Sequence, residues 1–81
     1  LSLLPNPFKD DVTIEFALSG EKVISLQVND VLGRVVKEMV TDSKLPAGKY
    51  TFKFTGDAPG AYMVIFHIDG IPFTQRVLKI K

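Results

Sequence analysis

The 81-residue sequence contains no cysteine and no tryptophan, and its ten basic residues nearly balance its nine acidic ones. Without cysteine there is no disulfide framework and no thiolate nucleophile. The balanced charge argues against a binding surface for nucleic acid or anionic lipid. The longest apolar run, residues 61–66, is far shorter than the roughly 18–20 residues of a membrane span. We therefore expect no nucleic-acid partner and no membrane insertion.

The sequence also lacks any stretch with the 3.6-residue apolar period of a helix. Apolar and polar residues instead alternate with a period of two, which is typical of strands with one buried face. Tyr50, Phe52 and Phe54 share one such face and are expected in the core. The polar residues 42–44 suggest an exposed end of the fourth strand. The alternation predicts six strands at residues 12–18, 24–29, 35–40, 50–55, 61–68 and 71–80, with residues 1–4 as a candidate seventh.

Residues that favour turns separate these predicted strands. Asp30 and the glycine that follows three residues later predict a tight hairpin, and Asp69-Gly70 predicts a two-residue turn. Such short, turn-linked strands predict an all-β fold, an immunoglobulin-like antiparallel β-sandwich of about seven strands. The length suits one domain, residues 1–81. The turn glycines expected to have positive φ are Gly33, Gly48, Gly60 and Gly70.

Few residues suit catalysis or metal binding. His67 is the single histidine and lies in an apolar strand, so we expect it to pack there rather than to act on a substrate. Asp10 and Asp11 could help to hold calcium, but a solvated loop that protects an edge strand is the preferred interpretation. We expect no catalytic residue, no metal and no cofactor, and hence no enzyme.

Two tyrosines raise the alternative that the domain binds carbohydrate. Exposed aromatic rings with a polar group are used in carbohydrate binding, and Tyr50 and Tyr62 have that chemistry. Their position in the alternation places them with core residues instead. The core interpretation is therefore preferred to a ligand platform.

Five short motifs follow one another in order along the chain, and each contains turn-forming or terminal residues. The motifs are Pro5-Asn6-Pro7, Asp30-Val31-Leu32-Gly33-Arg34, Leu45-Pro46-Ala47-Gly48 followed by Tyr50, Gly60 followed by Tyr62, and Val77-Leu78-Lys79-Ile80-Lys81. Together they resemble the C-terminal sorting domain of the type IX secretion system, a type A sorting domain, over the whole chain. Leu4 and Asn29 stand where the family often has an aromatic residue, and Phe54 stands where it often has tryptophan.

The resemblance implies a secretion signal and no activity of its own. It implies a seven-stranded immunoglobulin-like sandwich and an N-terminally attached cargo. The partners would be the type IX translocon and sortase components, which export the cargo and can remove the domain as the cargo is attached at the surface. The implied location is the periplasm in transit, then the cell surface or the medium, with an export signal upstream of Leu1.

Recognition by the translocon is expected at the C-terminus, through Leu78, Lys79, Ile80 and Lys81. An exposed terminal strand can dock by strand addition or through its carboxylate. The alternative is that these residues only close the sheet. A different function also stays open, an accessory fibronectin-like or carbohydrate-binding sandwich of an extracellular hydrolase or adhesin. A sorting domain must end its parent polypeptide, whereas an accessory module need not.

Overall fold

The computed structural model describes residues 2–4, 7–56 and 58–80. Within these ranges every regular element is a strand. No helix there is long and apolar enough to cross a membrane. The predicted all-β fold is therefore confirmed. The strands are β1 (Ser2–Leu4), β2 (Val12–Leu18), β3 (Lys22–Asp30), β4 (Val35–Leu45), β5 (Gly48–Phe54), β6 (Gly60–Ile68) and β7 (Ile71–Lys79).

The strands form two antiparallel sheets, as the sequence predicts. A three-stranded sheet has the order β1-β2-β5, and a four-stranded sheet has the order β4-β3-β6-β7. In antibody constant domains the first, second, fourth and fifth strands form one sheet. Here β4 pairs with β3 instead, which makes the second sheet the larger one. β6 lies between β3 and β7, and its sequence is apolar on both faces. The central residues on its inner face are buried, whereas Met63 and Ile65 on its outer face are half-buried.

The core lies between the inner faces of the two sheets. Buried and more exposed residues alternate along β2, β3 and β6, as expected for strands with one face in a core. Phe16 of β2 and Phe66 of β6 join the sheets at the centre, with ring centroids 4.6 Å apart. Fully buried aliphatic residues surround this pair, among them Ile14, Ile24, Leu26 and Val64. This packing fixes which face of each strand points inward.

Two details differ from the sequence prediction. β4 does not end near residue 40 but continues through the polar residues 42–44 to Leu45. Its pairing with β3 shifts register at Ser25, and the two strands remain paired on both sides of this shift. Asp42 has a φ of 39° there, and its backbone N–H donates to the Ser25 hydroxyl. Of the three aromatic residues of β5, only Phe54 is buried, whereas Tyr50 and Phe52 are half-buried.

Candidate functional site

Most of the sequence motifs come together at one end of the sandwich. Asp30 at the end of β3 pairs with Tyr62 near the start of β6, and Gly60 pairs with Lys79 at the end of β7. Phe8, which follows the Pro-Asn-Pro motif, forms a parallel bridge with Lys79. We call the end of the sandwich formed by Phe8, Asp30, Gly60, Tyr62 and Lys79 the motif end.

Some predicted site residues are not at the motif end or are not described. Pro5, Asn6 and Lys81 lie outside the described residues, and Pro7 is exposed. Leu45, Pro46, Gly48 and Tyr50 lie at the opposite end, where β4 turns into β5. The structure therefore brings together four of the five motifs, as far as their residues are described. The remaining motif, from Leu45 to Tyr50, lies at the opposite end of the sandwich.

The Asp30 hairpin is held by the side chain of its first residue. The Asp30 carboxylate accepts the backbone N–H of Leu32 at 2.9 Å and that of Arg34 at 3.0 Å. The Arg34 guanidinium donates to the same carboxylate from Nε at 2.9 Å. Gly33 completes the turn with a φ of 83°. A residue with a Cβ would adopt this φ only at a considerably higher conformational free energy than glycine. Asp30, Gly33 and Arg34 are thus explained as parts of one turn.

These contacts change the acidity of Asp30. Burial raises the pKa of its carboxyl, but the hydrogen bonds from Arg34 and Leu32 and the charge of Arg34 outweigh this effect. The net result is a pKa below the ordinary value for aspartate. The charged form of Asp30 is therefore the form that fits the hairpin.

Tyr62 is the centre of a second turn at the motif end. Its hydroxyl donates to the backbone carbonyl of Ala58 at 2.6 Å, four residues upstream. Gly60, two residues before it, has a φ of 136°. A tyrosine at the start of the sixth strand that bonds back to the preceding loop is the tyrosine corner of immunoglobulin-like sandwiches. This corner accounts for the spacing of the Gly60 and Tyr62 motif.

The Leu45-to-Tyr50 motif repeats the same construction at the other end. The Tyr50 hydroxyl donates to the Pro46 carbonyl at 2.5 Å, again four residues upstream, and Gly48 has a φ of 152°. Both tyrosine hydroxyls therefore act within their own loops, and Tyr62 is only 7% exposed. This arrangement confirms the core interpretation for Tyr62 and leaves no exposed ring there for a carbohydrate.

The C-terminal end of β7 is tied to the N-terminal segment of the chain. The Phe8 N–H donates to the Leu78 carbonyl at 2.8 Å, and the Ile80 N–H donates to the Phe8 carbonyl at 2.9 Å. The Lys79 ammonium donates to the Lys9 carbonyl and lies 5.9 Å from the centroid of the Phe8 ring. Leu78 and Ile80 point outward, with 38% and 48% of their surface exposed. Lys79 is only 7% exposed, so it closes the fold rather than offering a surface charge.

A shallow groove of about 420 Å³ opens between the Asp30 hairpin and the loop before β6. Its walls include Leu32 and Arg34 on one side and Gly56 and Tyr62 on the other. Leu32 is 74% exposed and Val31, beside it, is 69% exposed. The groove at the motif end is therefore bordered by exposed apolar side chains and one arginine.

His67 and the paired aspartates do not form a catalytic or metal arrangement among the described residues. His67 is half-buried and lies opposite Ser25 on the outer face of the larger sheet. The Ser25 hydroxyl donates to Asp42 at 2.8 Å, whereas in a catalytic triad it would donate to histidine. Nowhere in residues 2–4, 7–56 and 58–80 do three or more acidic or histidine side chains gather as a metal site would require.

Sequence reasoning missed two residues of the motif end. Phe8 is 1% exposed and packs against Phe54 and Tyr62, with ring centroids 6.4 and 6.5 Å away. Gly56 lies under the Tyr62 ring, where an added Cβ would be 2.9 Å from the ring carbon Cζ. The local signal for Phe8 was its place directly after a proline turn, and that for Gly56 was its place in a loop rich in turn-forming residues.

The fold and this site define a small all-β sandwich in which the sequence motifs build turns and terminal contacts. A family model described as the secretion system C-terminal sorting domain matches residues 2–80. The chain belongs to this family, the sorting domains of the type IX secretion system. Comparison with curated proteins and with solved structures gives no match. The resemblance drawn from the motifs is confirmed.

Membership of this family sets the general role of the domain. It is a type IX C-terminal sorting signal, which implies an N-terminally attached cargo and recognition by the type IX machinery. The role implies export of the cargo to the cell surface or into the medium. The family is not an enzyme family.

Proposed function

We propose that residues 1–81 act as one C-terminal sorting unit that directs an attached cargo from the periplasm through the type IX outer-membrane translocon. A sortase component then removes the domain and attaches the cargo at the cell surface. The observation that supports this proposal most directly is the convergence of four motifs, including the end of β7, at the motif end.

The proposed recognition element is the exposed part of the C-terminal segment. Leu78 and Ile80 offer two outward apolar side chains, and Lys81 adds a positive charge to the segment. β7 is an edge strand of the larger sheet, but the backbone of Phe8 already pairs with its outer edge at Leu78 and Ile80, so recognition would use the outward side chains of this segment. Lys79 has a different part in this proposal, because its contacts with Lys9 and Phe8 hold the segment in place.

This arrangement couples recognition to folding. The backbone of Phe8 bonds to Leu78 and Ile80 on both sides of Lys79. Phe8 in turn is held by Phe54 and Tyr62 in the core. An unfolded domain would lose this support, and its terminal segment would have no fixed shape. A translocon that binds the ordered segment would therefore select folded domains.

A fusion experiment tests the sorting function. A reporter with a periplasmic export signal is joined to the N-terminus of this domain and expressed with and without the type IX translocon. We expect surface delivery only when the translocon is present. Equal delivery in both strains would contradict the proposal. Release of the domain from the delivered reporter, measured by mass spectrometry, tests the cleavage step separately.

Matched substitutions test the recognition element. Ile80→Ser removes an apolar side chain that is 48% exposed, and Val35→Ser removes one that is 50% exposed on β4. We expect Ile80→Ser to reduce delivery strongly while Val35→Ser leaves it unchanged, with similar melting temperatures for both. One to three polar residues appended after Lys81 should also reduce delivery. Normal delivery by Ile80→Ser and by the extended chain would contradict a C-terminal recognition element.

A further inference from the structure

β5 has a free and regular edge. It pairs with β2 along its whole length, from Gly48 to Phe54, with no shift of register. β5 is the outer strand of the smaller sheet, so no strand of the described chain pairs with its other edge. It also contains no proline. A regular edge strand of this kind presents a row of unpaired backbone groups to which another extended chain can bond.

The two edges of the larger sheet are less suited to accept a strand. At one edge, the backbone of Phe8 already bonds to Leu78 and Ile80 at the end of β7. At the other edge, β4 shifts register against β3 at three places, and Asp42 has a φ of 39°. Bulges of this kind protect an edge strand from further pairing. Among these three edges, that of β5 is therefore the one best suited to strand addition.

The side chains of β5 form an apolar row and a basic row. Tyr50 and Phe52 point inward and pack at the rim of the core, where both are half-buried. Lys49, Thr51 and Lys53 point to the outer face of the smaller sheet and are exposed. Neither lysine forms an ion pair with a described residue. A strand added at this edge would therefore meet two aromatic rings on one face and two unpaired positive charges on the other.

The two lysines argue against a second copy of this chain as the occupant. If two copies of β5 paired antiparallel about Thr51, Lys49 of each copy would lie opposite Lys53 of the other. Like charges directly opposite each other destabilise a sheet. A strand with acidic residues at these two positions would instead form two cross-strand ion pairs. Charge complementarity therefore selects an acidic strand.

We propose that the free edge of β5 binds an extended acidic segment of a partner protein by strand addition. The pleat of the strand specifies the pattern of this segment. Its acidic residues lie opposite Lys49 and Lys53, a polar residue lies opposite Thr51, and apolar side chains cover the exposed parts of Tyr50 and Phe52. This surface belongs to the smaller sheet, whereas the proposed C-terminal recognition element follows the larger one. It is a second contact surface that does not depend on that element.

Hydrogen exchange in the intact parent protein tests this proposal. The probe is a synthetic peptide with the central sequence Glu-Val-Thr-Val-Glu, and the control peptide has lysine in place of both glutamates. Alternate β5 amides do not bond to β2, and the acidic peptide should slow the exchange of these amides in a saturable way. Fluorescence anisotropy of labelled peptides measures their affinities. We expect the basic peptide to bind at least about tenfold more weakly, because it places like charges opposite each other.

A charge swap in the protein tests the role of the lysines. Lys49→Glu combined with Lys53→Glu should reverse the preference, so that the basic peptide binds more tightly than the acidic one. Lys37→Glu combined with Lys44→Glu makes the same change of net charge at two exposed lysines of β4 and should leave the preference unchanged. If the first variant does not fold, Lys49→Gln combined with Lys53→Gln should weaken binding of the acidic peptide by about threefold or more.

Several results would overturn the proposal. If the β5 amides exchange at the same rate with and without the acidic peptide, the edge does not accept a strand. Equal binding of the acidic and basic peptides would contradict the selection by charge. If the free-edge amides of β5 are already protected without peptide, another part of the parent protein or a second copy covers the edge, and the proposed occupant is wrong. A dependence of this protection on protein concentration would identify the second copy.

Discussion

The two tyrosine turns have the same local construction but different surroundings. In each, a glycine with positive φ precedes the tyrosine by two residues, and the hydroxyl donates to the carbonyl four residues upstream. Tyr62 is buried among Phe8 and Phe54, whereas Tyr50 is half-buried and stacks on one face of Phe16. The motif therefore specifies the turn, while neighbours from distant strands specify how deeply the tyrosine is buried. We expect the buried turn to contribute more to stability.

The two ends of the sandwich also differ in how deeply their contacts are buried. At the motif end, contacts link the N-terminal segment, β5, β6 and β7. At the opposite end, Asp69 accepts the Val23 N–H at 2.9 Å and pairs with Lys22 at 3.7 Å, and both partners of the ion pair are well exposed. Exposed ion pairs contribute little. Substitutions at the motif end should therefore have the larger effects.

The largest effect is expected for Phe8→Ala. Removal of this fully buried ring should lower the free energy of unfolding by about 3–5 kcal/mol. Urea denaturation measures the loss, and hydrogen exchange should show loss of protection at the Ile80 amide. Leu32→Ala, at a side chain that is 74% exposed, is the control and should change stability by less than about 0.5 kcal/mol. If Phe8→Ala does not fold, Phe8→Leu should show a smaller loss, and an unchanged Phe8→Leu would contradict the prediction.

Gly56→Ala should have the next largest effect. The new Cβ would be 2.9 Å from the Tyr62 ring, which is buried and cannot move freely. We expect a loss of about 1–3 kcal/mol from overpacking. Gly20→Ala is the matched control, because nothing lies within 4 Å of its added Cβ. Equal thermal melting of the two variants would show that the Tyr62 ring is not confined.

The two tyrosine turns can be compared directly by removing each hydroxyl. Tyr62→Phe should lower stability by about 1 kcal/mol, since it removes a hydrogen bond from a buried group. Tyr50→Phe should cost less than about 0.5 kcal/mol, because water can reach the exposed hydrogen bond. Guanidinium denaturation of both variants measures the difference. A larger loss for Tyr50→Phe would reverse the comparison of the two ends.

The smallest effect is a pH dependence that comes from Asp30. Its folded-state pKa is lowered, so its charged form stabilises the fold above the unfolded-state pKa, and this contribution is lost as the pH falls through the lower folded-state value. Asp30→Asn should therefore be less stable than wild type at neutral pH, and the difference should shrink in acid. Arg34→Ala retains the two backbone N–H donors and should keep part of this pH dependence. A difference that is constant from acid to neutral pH would contradict the prediction.

Sequence patterns predicted the architecture because the interactions concerned are local. Period-two alternation follows from the pleat of a strand, so all-β character and the inward faces of β2 and β3 were predictable. The sequence of β6 is apolar on both faces, and its inward face was therefore not predictable from the alternation. The glycines of the turns were predictable for the same reason, and all four expected positive φ values are present. The order and spacing of the motifs also identified the family.

Contacts between residues distant in sequence were not predictable from these patterns. Lys79 alternates like a surface lysine, yet its buried position depends on Phe8 and Lys9, about seventy residues earlier. In the sequence, Gly56 does not differ from other loop glycines, and only the structure shows that the Tyr62 ring lies against it. The end of β4 depends on a hydrogen bond between Ser25 and Asp42, which no single strand contains. Periodicity therefore assigns each residue to a face, but only the packing of the two sheets assigns its neighbours, since burial is a property of the assembled layers.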